Sequence, residues 1–261
     1  MLKVAGIQMN STLHEKQKNR KKAINLIKQA AKNGAKIICL PELSMTGYHV
    51  NKESIPELAE HTDGETVQVF RDLASQLSVV LIVPFLELDS KNTNNYISAA
   101  IIDTDGALCG IHRKSMLWGD EKQMFTPGDK TYQVYETSLC KIGVLICYDI
   151  EFPEPARSLA VKGAELLFVP SVWSVPAVSR WDIQLPARAL DNSLFVFGVN
   201  AAGEHTCGKS KLVSAEGEVM IECNGNSEEI IYGDVDLPSL KTTRKKIPYL
   251  KDLPADWRRD C

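Results

Sequence analysis

Cys147 is placed to act as a nucleophile. It directly follows the apolar run Ile142–Ile146 and precedes Tyr148–Glu154, which leads into a helix. A thiol at such a strand-to-helix turn is presented sharply, and a helix N-terminus lowers a thiol's pKa. The ordinary alternative for a Cys at the end of a buried strand is a small core residue. A thiol nucleophile also needs a base. The five histidines, His14, His49, His61, His112 and His205, form no known cysteine-protease signature, and only the fold would bring His112 or His205 to Cys147. A carboxylate serves instead if burial raises its pKa. Glu42 meets that need. It follows apolar Ile37–Leu40 within Pro41-Glu42-Leu43, at the C-terminal end of a strand, where α/β folds place functional groups. Its alternative is a surface-loop carboxylate. Lys114, in His112-Arg113-Lys114-Ser115, is a third candidate, although a Lys in a polar loop is ordinarily solvated. Spacing alone does not bring the three together.

The elements that must position them read as strands alternating with helices. Val4–Met9 is a buried strand. His14–Asn33 is an amphipathic helix with Ala23, Ile24, Ile27, Ala30 and Ala31 on one face, and its basic run Lys16–Lys22 is the solvated face opposite. Gly34 ends that helix and Lys36–Leu40 is the next strand. Thr66–Leu77 has helical spacing and Val79–Phe85 is an apolar strand. Ile97–Ile102, Thr131–Glu136 and Lys141–Ile146 are short strands separated by turns such as Asp105-Gly106 and Pro127-Gly128. A second α/β half follows: helix Pro155–Lys162, strand Glu165–Val169, helix Ser179–Asn192, strand Ser193–Val199. Leu212–Ser214 and Glu218–Ile221 flank the turn Glu216-Gly217. Buried apolar strands with helices between them imply an α/β fold of sheets covered by helices.

The chain has 261 residues, 44% hydrophobic and 24% charged, which excludes a disordered or fibrous chain. No low-complexity linker divides it, so one domain over 1–261 is expected, with an extended polar tail from about residue 237. A net charge of -3 gives no electrostatic reason to expect nucleic acid or an anionic membrane as partner. No apolar run reaches the ~18 residues of a membrane span. The start MLKVAGIQMN has neither h-region nor cleavage site of a signal peptide. The seven Cys include no CxxC pair, so reduced thiols in a cytoplasm are expected rather than a disulfide framework. Cys39 and Cys140 read as core, and Cys109, Cys207, Cys223 and Cys261 as loop or tail.

Two motifs point elsewhere. Gly203–Ser210 (GEHTCGKS) matches the phosphate-binding string G-x-x-x-x-G-K-[ST], but a hairpin rather than a helix follows it, so a bound phosphate would lack a helix N-terminus. Cys207 lies two residues from His205, yet no second ligand pair follows at zinc spacing.

Pro41-Glu42-Leu43 with Thr46-Gly47-Tyr48, His112-Arg113-Lys114 followed by Trp118, and GVLICYDIEFPE over Gly143–Glu154 together resemble the nitrilase superfamily of carbon–nitrogen hydrolases. PARALDN over Pro186–Asn192 and the stretch Gly208–Val219 add to the resemblance, which covers nearly the whole chain. It implies a four-layer α-β-β-α sandwich and a Glu-Lys-Cys triad at Glu42, Lys114 and Cys147. A second family glutamate falls on Glu121 in EKQMFTPG. The implied mechanism attacks an amide carbonyl with Cys147, takes the thiol proton on Glu42, and holds the oxyanion with Lys114 and the backbone N–H of Tyr148. A thioester follows, which water hydrolyses, and neither metal nor organic cofactor is implied.

Within the family, Tyr148-Asp149 stands where true nitrilases carry Trp-Glu, which favours small amides over nitriles; nitrilase and N-carbamoyl amine hydrolase remain the alternatives, with a catalytically silent interaction module as a different class. Glu151 stands where ω-amidase-like members place an Arg, which puts a carboxylate-bearing substrate in doubt. Glu151 alternatively stabilises its own helix N-terminus. Tyr48, Trp118 and Trp173 are pocket-wall candidates, with core packing as the other reading. Arg188 and Asp191 read as a structural ion pair. A homodimer or higher homo-oligomer is implied by the family.

Overall fold

The computed structural model describes residues 1–91 and 93–259; Cys261 lies outside them. The chain first lays down β1 (Leu2–Gln8), β2 (Ile37–Cys39), β3 (Val80–Leu88), β4 (Asn95–Ile102) and β5 (Leu108–Arg113). It then builds β6 (Tyr135–Glu136), β7 (Lys141–Val144), β8 (Leu166–Ser171), β9 (Phe195–Asn200), β10 (Lys211–Val213) and β11 (Val219–Glu222), and returns with β12 (Glu229–Val235). One sheet has the order β12-β1-β2-β3-β4-β5 and the other β11-β10-β9-β8-β7-β6. Both are mixed: β1, β2 and β3 run parallel, as do β7, β8 and β9, and the remaining pairs are antiparallel.

The two-residue period of a strand explains the layering. In β1, Ala5 and Ile7 pack with Ala23, Ile27 and Ala30 of helix α1 (Lys16–Lys32), joined by Val67 and Phe70 of α2 (Glu65–Leu77). The alternate residue Gly6 faces the other sheet. A Cβ there would stand 2.9 Å from Val199 Cγ2 and 3.0 Å from the Phe197 ring, so glycine is what lets the two sheets approach at this point. Helices α3 (Pro153–Val161) and α4 (Val178–Asn192) cover the second sheet, with Leu159 over Gly143 and Trp181 and Leu185 over Gly198. The result is the α-β-β-α sandwich.

Several elements differ from the sequence reading. Of the strand expected over Thr131–Glu136, only Tyr135–Glu136 forms. Tyr132 instead adopts φ +43° and its hydroxyl lies 2.8 Å from Ser115 Oγ, which ties the segment to a loop rather than a ladder. Strands β5 and β12 were not among the expected elements. The tail from about 237 is helical rather than extended, with α5 (Ser239–Lys246) followed by Tyr249–Asp252 and Ala255–Arg259. Leu240 and Thr243 are buried, and Arg244 donates to the carbonyls of Ser193 and Ala164, so docking supplies what local pattern does not. No helix among the described residues is long and apolar enough to cross a membrane.

Candidate active site

The site lies on the seam between the sheets and takes residues from both. Glu42 follows β2 and Lys114 follows β5 in the first sheet; Cys147 follows β7 in the second. Lys114 Nζ donates to Glu42 Oε1 at 2.7 Å and to Glu121 Oε1 at 2.7 Å. Lys114 and Glu42 are fully buried and Glu121 nearly so. Two carboxylates around one ammonium leave a buried excess of negative charge, which other donors offset at Glu121. Tyr48 Oη donates to Glu121 Oε1 at 2.6 Å, and the Trp118 N–H donates to Oε2 at 2.7 Å. The second oxygen of Glu42 is different. Buried Oε2 has no hydrogen-bond partner among the described residues, and Cys147 lies near enough that the two groups act on each other's ionisation.

The electrostatics follow from burial. Desolvation raises the Glu42 carboxyl to about 7 despite the Lys114 ammonium. Burial on its own would push Lys114 down, but the charges of Glu42, Cys147 and Glu121 outweigh it and hold the ammonium above its ordinary value. The Cys147 thiol is raised well above the ordinary range, first by burial and then by the Glu42 charge, with Lys114 and the Val172 backbone N–H opposing. This reverses the sequence reading, in which the helix start lowers the thiol. A buried sulfur beside a carboxylate rests protonated, so a base has to take its proton as it reacts.

Cys147 itself sits at φ +51°, a left-handed conformation costly for a residue with a Cβ. It opens a 3-10 turn over Cys147–Glu151, and Tyr148 is the second residue of that turn, where backbone N–H groups lack intrahelical partners. Asp149 and Arg188 hold the strained turn in place. Fully buried Asp149 accepts from the N–H groups of Ile146, Ser115 and Met116 at 2.8–3.1 Å, from Ser115 Oγ at 3.1 Å, and faces His112 Nε2 at 3.3 Å. Arg188 Nε donates to the Ile150 carbonyl at 3.1 Å and Nη2 to that of Glu151 at 2.8 Å; the Asp191 pairing expected for Arg188 is looser, at 3.8 Å. Sequence reasoning missed both roles. The only trace of them was a buried-type position occupied by a charge.

The thiol opens onto a cavity of about 230 Å³, lined also by Tyr48, Trp118, Tyr148, Glu151, Trp173 and Arg180. The four residues expected from sequence as pocket candidates all reach it. Trp118 packs edge-on against Tyr148 at 4.9 Å, and the Glu151 carboxylate forms an ion pair with Arg180. His205 lines the cavity as well, while His112 is spent on Asp149. Lys209 of the GEHTCGKS string is held by Asp182 at 2.6 Å, and the strand β10 follows where a phosphate site needs a helix. Among the described residues no group of three or more His, Cys, Asp or Glu side chains is placed to hold a metal ion.

Comparison with known proteins places this architecture. The chain belongs to the carbon–nitrogen hydrolase family, whose family model matches residues 3–245. It is 35% identical over 266 residues to a nitrilase of Pyrococcus abyssi, covering 100% of this chain and 98% of that one. It is 35% identical over 259 residues to an ω-amidase of Xenopus tropicalis, covering 92% and 91%. Among solved structures it resembles a variant of the amidase from Nesterenkonia sp. AN1 that shows acrylamide added at its active-site cysteine, with TM-score 0.86, 25% identity, and 100% and 99% of the two chains covered.

Proposed function

We propose that the protein is a thiol amidase that hydrolyses the carbon–nitrogen bond of a small amide through a thioester on Cys147. The observation that carries the reading is the buried Lys114 ammonium held 2.7 Å from both Glu42 and Glu121, with the Cys147 thiol against Glu42. A carboxyl with pKa near 7 beside a protonated thiol is matched to accept its proton at neutral pH.

As the sulfur attacks the amide carbon, the S–H proton passes to Glu42, the S–C bond forms, and the carbonyl electron pair moves onto oxygen. Lys114 and the Tyr148 N–H receive that oxyanion; donors fixed in advance in this way are typically worth about 3–4 kcal/mol each. The intermediate collapses, the C–N bond breaks, and Glu42 returns its proton to the leaving ammonia or amine. Water then gives a proton to Glu42 and attacks the thioester, and the C–S bond breaks with the thiol reprotonated. Glu121 orients the Lys114 head group throughout. The ω-amidase and amidase relatives support an amide substrate; the nitrilase relative keeps nitrile hydrolysis as the second reading.

The test is ammonia release from simple amides, N-carbamoyl amines and nitriles. Cys147→Ala and Cys147→Ser are expected to abolish turnover with the fold intact, and mass spectrometry after a brief amide pulse is expected to find an acyl adduct on Cys147. Retention of more than about a tenth of the activity in either variant, or no adduct across a broad amide panel, contradicts the reading; conversion of nitriles with amides inert replaces it by nitrilase. We also propose a reducing, cytoplasmic setting, supported by the free thiols of Cys39, Cys109, Cys140, Cys147, Cys207 and Cys223, and a homodimer, to be read by light scattering.

A further inference from the structure

The steps above leave the Glu151–Arg180 pair unused, although both side chains line the cavity that holds Cys147. Arg180 Cζ stands 5.4 Å from the ring centroid of Trp118 and 5.4 Å from that of Trp173, so two indoles and a carboxylate surround the guanidinium. Only Nη1 of its fork meets Glu151, and the remaining N–H donors of a guanidinium stay available to a ligand. A second observation is independent of that pair. Trp173 is 4% exposed and its indole Nε1 has no hydrogen-bond partner among the described residues. A buried donor of this kind is costly until something brings it an acceptor.

Charge decides what fits. A ligand bearing only a carboxylate could use the free side of Arg180, but it would set a second anion beside Glu151 with no added cation to offset it. A ligand bearing only an ammonium would likewise set a second cation beside Arg180 with no added anion. A group carrying both charges satisfies all three: its ammonium meets Glu151, and its carboxylate meets the free side of Arg180 and the Trp173 N–H. We propose that Glu151, Arg180 and Trp173 form a head-group site for a zwitterion, so that the amide cleaved is the side-chain amide of an α-amino acid. This rests on the amidase reading above. Water is consumed, ammonia leaves, and the product is an amino acid with a second carboxylate.

Binding tests it without depending on turnover. Calorimetry on the Cys147→Ala protein, with Cys147→Ser as the second carrier, compares L-glutamine and L-asparagine with glutaramate, which lacks the ammonium, 4-aminobutanamide, which lacks the carboxylate, and butanamide, which lacks both. The better of the two amino acids is expected to bind at least about tenfold tighter than each of the other three. Adding Glu151→Gln is expected to weaken the ammonium-bearing ligands and to spare or improve glutaramate; adding Arg180→Gln is expected to weaken the carboxylate-bearing ones. Equal or tighter binding of any singly charged or neutral analogue, or no binding of either amino acid, overturns the head-group site. Ammonia release from butanamide by the unmutated protein reports separately on the amidase reading, so the two failures are told apart.

Discussion

Asp149 accepts the backbone N–H of Met116 at 2.8 Å across 33 residues of sequence, and through it the loop that carries Lys114 is fastened to the turn that carries Cys147. The same carboxylate also takes the N–H groups of Ser115 and Ile146, so one buried side chain sets the spacing of ammonium and thiol. Asp149→Asn puts an NH2 where an N–H or hydroxyl now donates. Each buried donor left without an acceptor costs about 1–3 kcal/mol. The urea midpoint is expected to fall, and kcat is expected to fall at least about tenfold at temperatures where the variant is still folded, with KM changing less. A fully active, fully stable Asp149→Asn protein removes this positioning role.

The Glu42 carboxyl titrates at about 7 in the folded chain, against 4.5 for the ordinary group. In the proposed role of base it has to be ionised, so kcat/KM is expected to rise with pH below about 7 and to level above it. Stability runs the other way. Because the folded state holds its proton more tightly, the contribution of Glu42 is fully present below about pH 4.5 and is lost as pH rises through about 7. The loss is on the order of 3 kcal/mol. Denaturant melts between pH 4.5 and 8 measure it, and Glu42→Gln is expected to flatten that slope and to remove nearly all turnover. An activity profile flat from pH 5 to 7 would falsify the assignment of Glu42 as base.

Lys114→Met leaves Glu42 and Glu121 buried side by side without their shared cation. Breaking a buried ion pair from one side costs about 3–5 kcal/mol. Glu42, already raised to about 7, escapes part of that cost by taking up a proton, so the variant is expected to be markedly weaker at pH 8 than at pH 5. Loss of one oxyanion donor is expected to lower kcat by about 10²–10³. Urea melts at the two pH values check the first expectation and ammonia release the second; equal destabilisation at both pH values would mean that the two acids do not share the ammonium's charge.

These results explain which parts of the molecule were legible in sequence. Helices α1 and α2 and strands such as Val80–Leu88 were readable because burial imposes a period on them; Ile27 and Phe70 have to face inward. Strand β5 was not readable. Its residues Leu108–Arg113 include Gly110, where a Cβ would come within 2.5 Å of the Tyr135 ring, so long-range packing and not local apolar pattern selects it. The same holds for the site. Glu42, Lys114 and Cys147 each had an ordinary alternative by residue type, and Lys114 in particular reads as solvated. What buries it is a pair of carboxylates, Glu42 lying 72 residues upstream and Glu121 opening the short helix Glu121–Met124. Only the motif resemblance joined residues so far apart. Glu151 was read without its partner because Arg180 comes from α4, 29 residues later and beyond the intervening α3.

Gly128 tests how tightly the end of β5 has to be held for Lys114 to reach its carboxylates. Its N–H donates to the Lys114 carbonyl at 2.8 Å, and a Cβ added to it would lie 2.4 Å from the Arg113 carbonyl oxygen and 2.7 Å from Arg113 Cβ. Backbone at that distance has no flexible end to move aside, so Gly128→Ala has to displace the Arg113–Lys114 peptide itself. Overpacking of this kind typically costs about 1–3 kcal/mol. Lys114 Nζ, already fixed by two contacts of 2.7 Å, is then displaced from the place where it is proposed to meet the oxyanion, and a shift of about 1 Å costs about a hundredfold in rate. The variant is therefore expected to lose far more kcat than its fall in melting temperature would indicate, and replacing Gly119, where an added Cβ meets nothing within 4 Å, gives the control in the same loop region. Because Gly119 has φ +52°, Gly119→Asn, a residue that tolerates that conformation, is the fitting substitution there and is expected to leave activity near its original level.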